Sequence, residues 1–191
     1  MSVSDILMHT NTLELTRSAL AVIDMQEAFR AKIANFTETA QRIAAMVIAA
    51  KLLQLPIVVT EQYPKGLGHT ASEIKEVLPE SVEIIEKTAF SSCGAGAFEA
   101  QLERAGARQV LVCGIEAHIC VNQTVHDLLA RGFQVHLLTD CITSRNPANK
   151  EVALAKMQMA GAVPSSLEMA LFELMRDARH ERFNAIQGLI R

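Results

Sequence analysis

A chain of 191 residues, half of them hydrophobic and a fifth charged, has enough apolar length for a full core and is too apolar for disorder. Its 18 basic and 21 acidic side chains leave a net charge of −3 without a basic stripe, which argues against nucleic acid or an anionic membrane as partner. No run approaches the roughly 20 apolar residues of a membrane-spanning helix. Residues 1–17 show neither an apolar signal core nor a small-residue cleavage site, and the four cysteines (Cys93, Cys113, Cys120 and Cys141) are widely spread. The expectation is a cytoplasmic protein with reduced thiols, one domain over residues 1–191.

The first element is Ser18 to Asp24, whose run Ala19-Leu20-Ala21-Val22-Ile23 is apolar without alternation. Such a run fits a strand buried on both faces, as in a parallel sheet covered by helices. Apolar residues at Ala40, Ile43, Val47, Ala50 and Leu53 predict a helix over about 37–54, stopped by Pro56. Ile57–Thr60 reads as the next strand, and the Gly- and Pro-containing stretch Glu61–Gly68 as a loop at its C-terminal end. A short strand within Ser81–Glu86 ends at Lys87, and a helix over about 96–105 follows.

Val110–Cys113 reads as a fourth strand, then a glycine turn, then a helix over 118–131 punctuated by Gly132. Phe133–Leu138 reads as a fifth strand ending at Thr139-Asp140, followed by a helix over about 148–160. Gly161–Ser165 is the last strand, placed at a sheet edge by Pro164, and helices near 166–177 and 180–190 finish the chain. This alternation predicts a three-layer α/β/α Rossmann-like sandwich around a six-stranded parallel sheet.

In such folds the ligand lies beyond the carboxyl ends of the strands, near the point where strand order reverses. Asp24, Gln62, Lys87 and the turn Gly114–Cys120 all fall at strand C-termini. Each has an ordinary structural explanation: Asp24 as a helix cap, Lys87 as a solvated surface residue, Cys120 as a small apolar filler. Together they make a nucleophile set. A helix N-terminus and a nearby ammonium would stabilise the Cys120 thiolate. Asp24 would act as general base and then general acid, Lys87 would hold Asp24, and backbone amides of the turn would stabilise an oxyanion. Phe29, Gln62, Tyr63 and Phe90 are the expected substrate-binding residues. A metal at Cys113, His118 and Cys120 is rejected, because Cys113 lies within a strand and no fourth ligand is in sight. No cofactor is implied.

The segments Ala21-Val22-Ile23-Asp24-Met25-Gln26, Glu86-Lys87-Thr88-Ala89-Phe90 and Gly114-Ile115-Glu116-Ala117-His118-Ile119-Cys120-Val121 resemble the isochorismatase-like, or cysteine hydrolase, superfamily. The stretch Thr60–Gly68 and the tail Ile186–Ile190 are similar to its isochorismatase-domain-containing subgroup. The resemblance implies an Asp24–Lys87–Cys120 triad, a cis peptide between Ile115 and Glu116, and an oxyanion hole made of the amides of Glu116 and Cys120. Nicotinamidases of the superfamily carry an Asp-x-His pair and a further His for a metal, whereas this chain reads Thr60-Glu61-Gln62-Tyr63 with no His before His69. Isochorismatases lack the nucleophilic Cys, which this chain has. The expected activity is therefore metal-independent cleavage of a small amide or carbamoyl-type substrate through a Cys120 thioester, in a homo-oligomer. The alternatives are a vinyl-ether hydrolase using Asp24 without covalent catalysis, and a scaffold or regulatory oligomer with little turnover.

Overall fold

The computed structural model describes residues 9–190, so residues 1–8 of the stretch read for a signal lie outside it. Six strands form one sheet: β1 (Ser18–Ile23), β2 (Ile57–Gln62), β3 (Ile84–Lys87), β4 (Gln109–Gly114), β5 (Gln134–Ile142) and β6 (Val163–Ser165). Every pairing is parallel, in the order β3-β2-β1-β4-β5-β6. The order reverses beside β1, whose Ile23 is in register with Thr60 of β2 on one side and Gly114 of β4 on the other.

The unbroken apolar runs arise because both faces of the sheet are covered. Leu20, Val22, Leu111 and Leu138 pack with α1 (Phe36–Leu53), and the same cluster takes in Leu171 and Leu174 of the later helix Leu167–Met175. Ala19, Ala21, Ile23, Val110, Val112 and Leu137 face the other way, against Phe98, Val125, Leu128 and Met157. Those four come from the helices Gly96–Arg104, Asn122–Ala130 and Pro147–Met159. Alternate residues of each strand thus serve two cores, giving the three-layer α/β/α sandwich. Pro164 lies on the edge strand β6, where its missing N–H breaks no ladder.

Several boundaries differ from the sequence-based expectation. The segment read as a loop after Thr60 continues the strand to Gln62 and then forms a helical turn, α2 (Pro64–Leu67), followed by α3 (Ser72–Lys75). The remaining helices are α4 (Gly96–Arg104), α5 (Asn122–Ala130), α6 (Pro147–Met159), α7 (Leu167–Met175) and α8 (Phe183–Gln187). β5 does not stop at Leu138: it runs on to Ile142, paired with Gly114, because Asp140 finds partners in Arg42 and the Leu167 amide. The helix expected from His118 begins as a π turn, Ala117–Val121. The final helix covers less than the expected 180–190. No helix among the described residues is long and apolar enough to cross a membrane.

Candidate active site

β1 ends at Ile23, and Asp24 leaves the sheet at φ 49°, a left-handed conformation that Asp tolerates better than most residues. Its carboxylate is buried and anchored from β2 and, beyond it, β3. Thr60 Oγ1, at the matching height on β2, donates to Oδ1 at 2.7 Å. Lys87 Nζ, at the end of β3, donates to Oδ2 at 2.6 Å. Lys87 therefore reaches across β2, and Gln62 Oε1 at 2.8 Å and the Phe90 carbonyl at 2.9 Å accept its other hydrogens. An ammonium whose side chain is 1% exposed is tolerable because each proton has an acceptor and the carboxylate beside it is charged.

On the other side of β1, β4 ends at Gly114, whose φ is 119°. A Cβ there would collide with the Ile23 carbonyl oxygen, so only glycine lets the turn pack this close to β1. The peptide that follows, Ile115–Glu116, is cis. The π turn Ala117–Val121 then carries Cys120 to a buried position beside Asp24. Glu116, also buried, accepts from Arg145 Nε at 3.0 Å and from the Arg145 amide at 3.0 Å. Burial pushes the Glu116 carboxyl up, but the Arg145 hydrogen bonds and charge outweigh it and hold the group below its ordinary range. The Glu116 N–H has no backbone acceptor among the described residues.

Cys120 departs from the expected activated thiolate. Burial pushes its thiol up to about 12, the Asp24 charge and hydrogen bond add to that, and Lys87 only partly opposes them. A thiol raised in this way offers little thiolate, so the carboxylate that shares the cavity wall has to accept its proton as attack occurs.

Asp24 and Cys120 line a cavity of about 230 Å³ with Phe29, Gln62 and Phe90, which were expected there, and with Glu116. Tyr63 is not brought to it. Its ring lies half-exposed in a separate groove with Pro64, Lys65 and Ala95, because the left-handed turn at Tyr63 (φ 38°) carries the chain away from the strand axis. Sequence reasoning missed Thr60, Lys32, Arg145 and Gln26. Gln26 is fully buried, with Nε2 donating to the Gln62 carbonyl at 3.0 Å and Oε1 accepting from the Gln62 amide at 2.8 Å. It clamps the β2 end to the β1 end. The position of Thr60 at the C-terminal end of a predicted strand was a usable signal; Arg145 and Lys32 gave none. Glu61 has its carboxylate engaged by the Thr70 amide at 2.6 Å and by His69 at 3.0 Å.

This arrangement can be compared with known proteins. The family model for the isochorismatase domain matches residues 18–169. Human isochorismatase domain-containing protein 2 is 42% identical over 175 residues, 91% of this chain and 83% of that protein. The structure of MAR1 ribonuclease from Caenorhabditis elegans is 40% identical with a TM-score of 0.90, covering 94% of this chain and 92% of that one. YcaC from Pseudomonas aeruginosa, solved with hexane-2,5-diol and covalent acrylamide, is 26% identical with a TM-score of 0.87, covering 96% and 93%. From sheet order, strand-end site and family match together, the chain belongs to the isochorismatase-like hydrolase superfamily.

Proposed function

We propose that this protein is a cysteine hydrolase that cleaves the C–N bond of a small amide or carbamoyl-type substrate through a Cys120 thioester. The observation that carries the reading is a buried thiol, Cys120, on the wall of one small cavity with Asp24, itself held by Lys87 at 2.6 Å. Asp24 takes the Sγ proton as Sγ attacks the carbonyl carbon. The carbonyl oxygen becomes an oxyanion, held by the N–H groups of Glu116 and Cys120. Collapse breaks the C–N bond, and Asp24 returns the proton to the leaving nitrogen. A water deprotonated by Asp24 then attacks the thioester, releasing the acid and restoring the thiol. Every charge that develops is met by a group of the chain, so no metal is required.

Covalent acrylamide in the Pseudomonas relative supports a reachable nucleophile on this fold. Incubation with small amides should give a Cys120 acyl adduct by mass spectrometry, and Cys120→Ala should lose adduct and turnover together, by about 10⁴-fold or more. Full activity in Cys120→Ala with none in Asp24→Asn would instead identify non-covalent ether hydrolysis. A thiol that alkylates readily without turnover of any metabolite offered would identify a scaffold. The name of the Caenorhabditis relative makes an RNA arm worthwhile, although a net charge of −3 offers a polyanion little attraction. A homo-oligomer is part of this proposal; Met169 and Phe172 on α7 are exposed apolar positions, and light scattering of the purified protein reads the assembly state.

A further inference from the structure

We propose that Thr60 is a positioning residue, its buried hydroxyl fixing the plane of the Asp24 carboxylate so that the base stays aimed at the cavity it shares with Cys120. The proposal rests on the thioester reading above and adds a group that acts only through Asp24. On β2, Val59 packs into the core of α1, and Val58 into the opposite core, which also holds Cys120. Alternation along the strand puts Thr60 on the face of Val58. At such a position valine has the same shape and no polar atom to bury. The chain instead buries a hydroxyl completely, which costs stability unless the hydroxyl is bonded. The bond that satisfies it goes to Asp24 Oδ1 at 2.7 Å.

A carboxylate can only accept, so Thr60 is the donor in this pair. Its main chain holds the same residue, because the Asp24 amide donates to the Thr60 carbonyl at 3.1 Å. Lys87 Nζ grips the other carboxylate oxygen, Oδ2, at 2.6 Å. One such bond would leave the carboxylate free to turn about its Cβ–Cγ bond, and two bonds to different oxygens fix its plane. With the Thr60 proton committed to Asp24, Ser92 is left as the donor in its 3.4 Å contact with Thr60 Oγ1. Ser92 is also fully buried, and its amide donates to Thr124 Oγ1 at 2.8 Å. Thr124 lies on α5, which continues from the Cys120 turn, and Ser92 lies in the loop that leaves Lys87. Three buried hydroxyl residues thus join the elements that carry Asp24, Lys87 and Cys120. Thr60 is not among the described residues that line the cavity, so what it does for the reaction passes through Asp24.

The test uses p-nitrophenyl acetate on the full-length protein. Sγ attacks the acetyl carbon, its proton passes to Asp24, and the C–O bond breaks to release p-nitrophenolate. Stopped-flow absorbance reads that release, and mass spectrometry locates the acetyl group on Cys120. Thr60→Val keeps the shape and removes the hydroxyl; its single-turnover acylation should be about tenfold slower, at an unchanged half-saturating ester concentration. Thr60→Ser gives up a methyl group, keeps the hydroxyl and should recover most of the rate. If Thr60→Val shows no cooperative urea transition, Thr60→Ala takes its place, since it differs from Thr60→Ser by the hydroxyl alone. Acylation of the variant without a hydroxyl within about twofold of Thr60→Ser overturns the proposal and leaves the thioester reading intact. A raised half-saturating concentration at an unchanged rate also overturns it, because Thr60 would then serve binding. A parent protein that p-nitrophenyl acetate does not acetylate at Cys120 overturns the thioester reading, and this proposal with it.

Discussion

At Cys120 burial and the Asp24 charge act together, and the Lys87 ammonium opposes them without prevailing. Its neighbours include an ammonium, which favours a thiolate, yet the thiol is pushed up to about 12 by burial and then by Asp24. Asp24→Asn should therefore move two readouts in opposite directions. Removing the carboxylate's charge lowers the thiol pKa, so alkylation of Cys120 by iodoacetamide at mildly alkaline pH should become faster. Turnover of an amide should fall by about 10²–10⁴-fold, because the proton acceptor is gone. Slower alkylation in the variant would count against the pairing of Asp24 with the thiol. Lys87 and Asp24 were legible as a set because both end strands. Thr60 adds the third contact, and nothing local in the sequence says that its hydroxyl turns toward Asp24 at 2.7 Å.

The elements that matter most are the ends of β1 and β4, which touch at the Gly114 turn. Gly114→Ala should be among the more destabilising single substitutions in the chain. It combines a φ of 119° with a collision against the Ile23 carbonyl, and about 2–4 kcal/mol is expected, read as a shift of the urea midpoint. Since that turn also places Cys120, activity should fall further than stability accounts for. The strands were legible because burial on both faces removes polar positions from them, as in Ala19–Ile23. The underestimated end of β5 shows the limit of the same signal. Thr139 and Asp140 look like a strand terminus, but Arg42 of α1 and the first amide of α7 satisfy Asp140 within the fold. A polar residue ends a strand in sequence only when its partner is water.

At the scale of the whole molecule, acid stability should be limited by buried groups on β5 and around the site. His136 is 1% exposed, its Nε2 has no partner among the described residues, and burial pushes it down to about 4 from 6.5. The unfolded chain therefore binds a proton that the folded one refuses between those values, and stability falls as pH drops through that window. Burial raises the carboxyls of Glu61 and Glu116, but hydrogen bonds from Thr70 and Arg145 hold both below the ordinary range. They add a further loss at lower pH, as the folded carboxylates are forced to protonate. His136→Phe should flatten the dependence of the urea midpoint between about pH 6.5 and 4. An unaltered slope would show that His136 gains a proton without opening the fold.

By itself the sequence determined the fold class and the candidate triad. Buried parallel strands leave a periodic apolar signal, and the polar residues that interrupt it fall at the sheet edge where ligands bind. It also pointed to Phe29, Gln62 and Phe90. The tertiary structure decided the rest: that Tyr63 faces another groove, that burial and Asp24 push the Cys120 thiol up, that Arg145 matches Glu116, and that Lys32 enters no ion pair among the described residues. The reason is physical. Burial and charge balance depend on residues far apart in the chain, brought together only when β1, β3 and β4 end at one edge of the sheet.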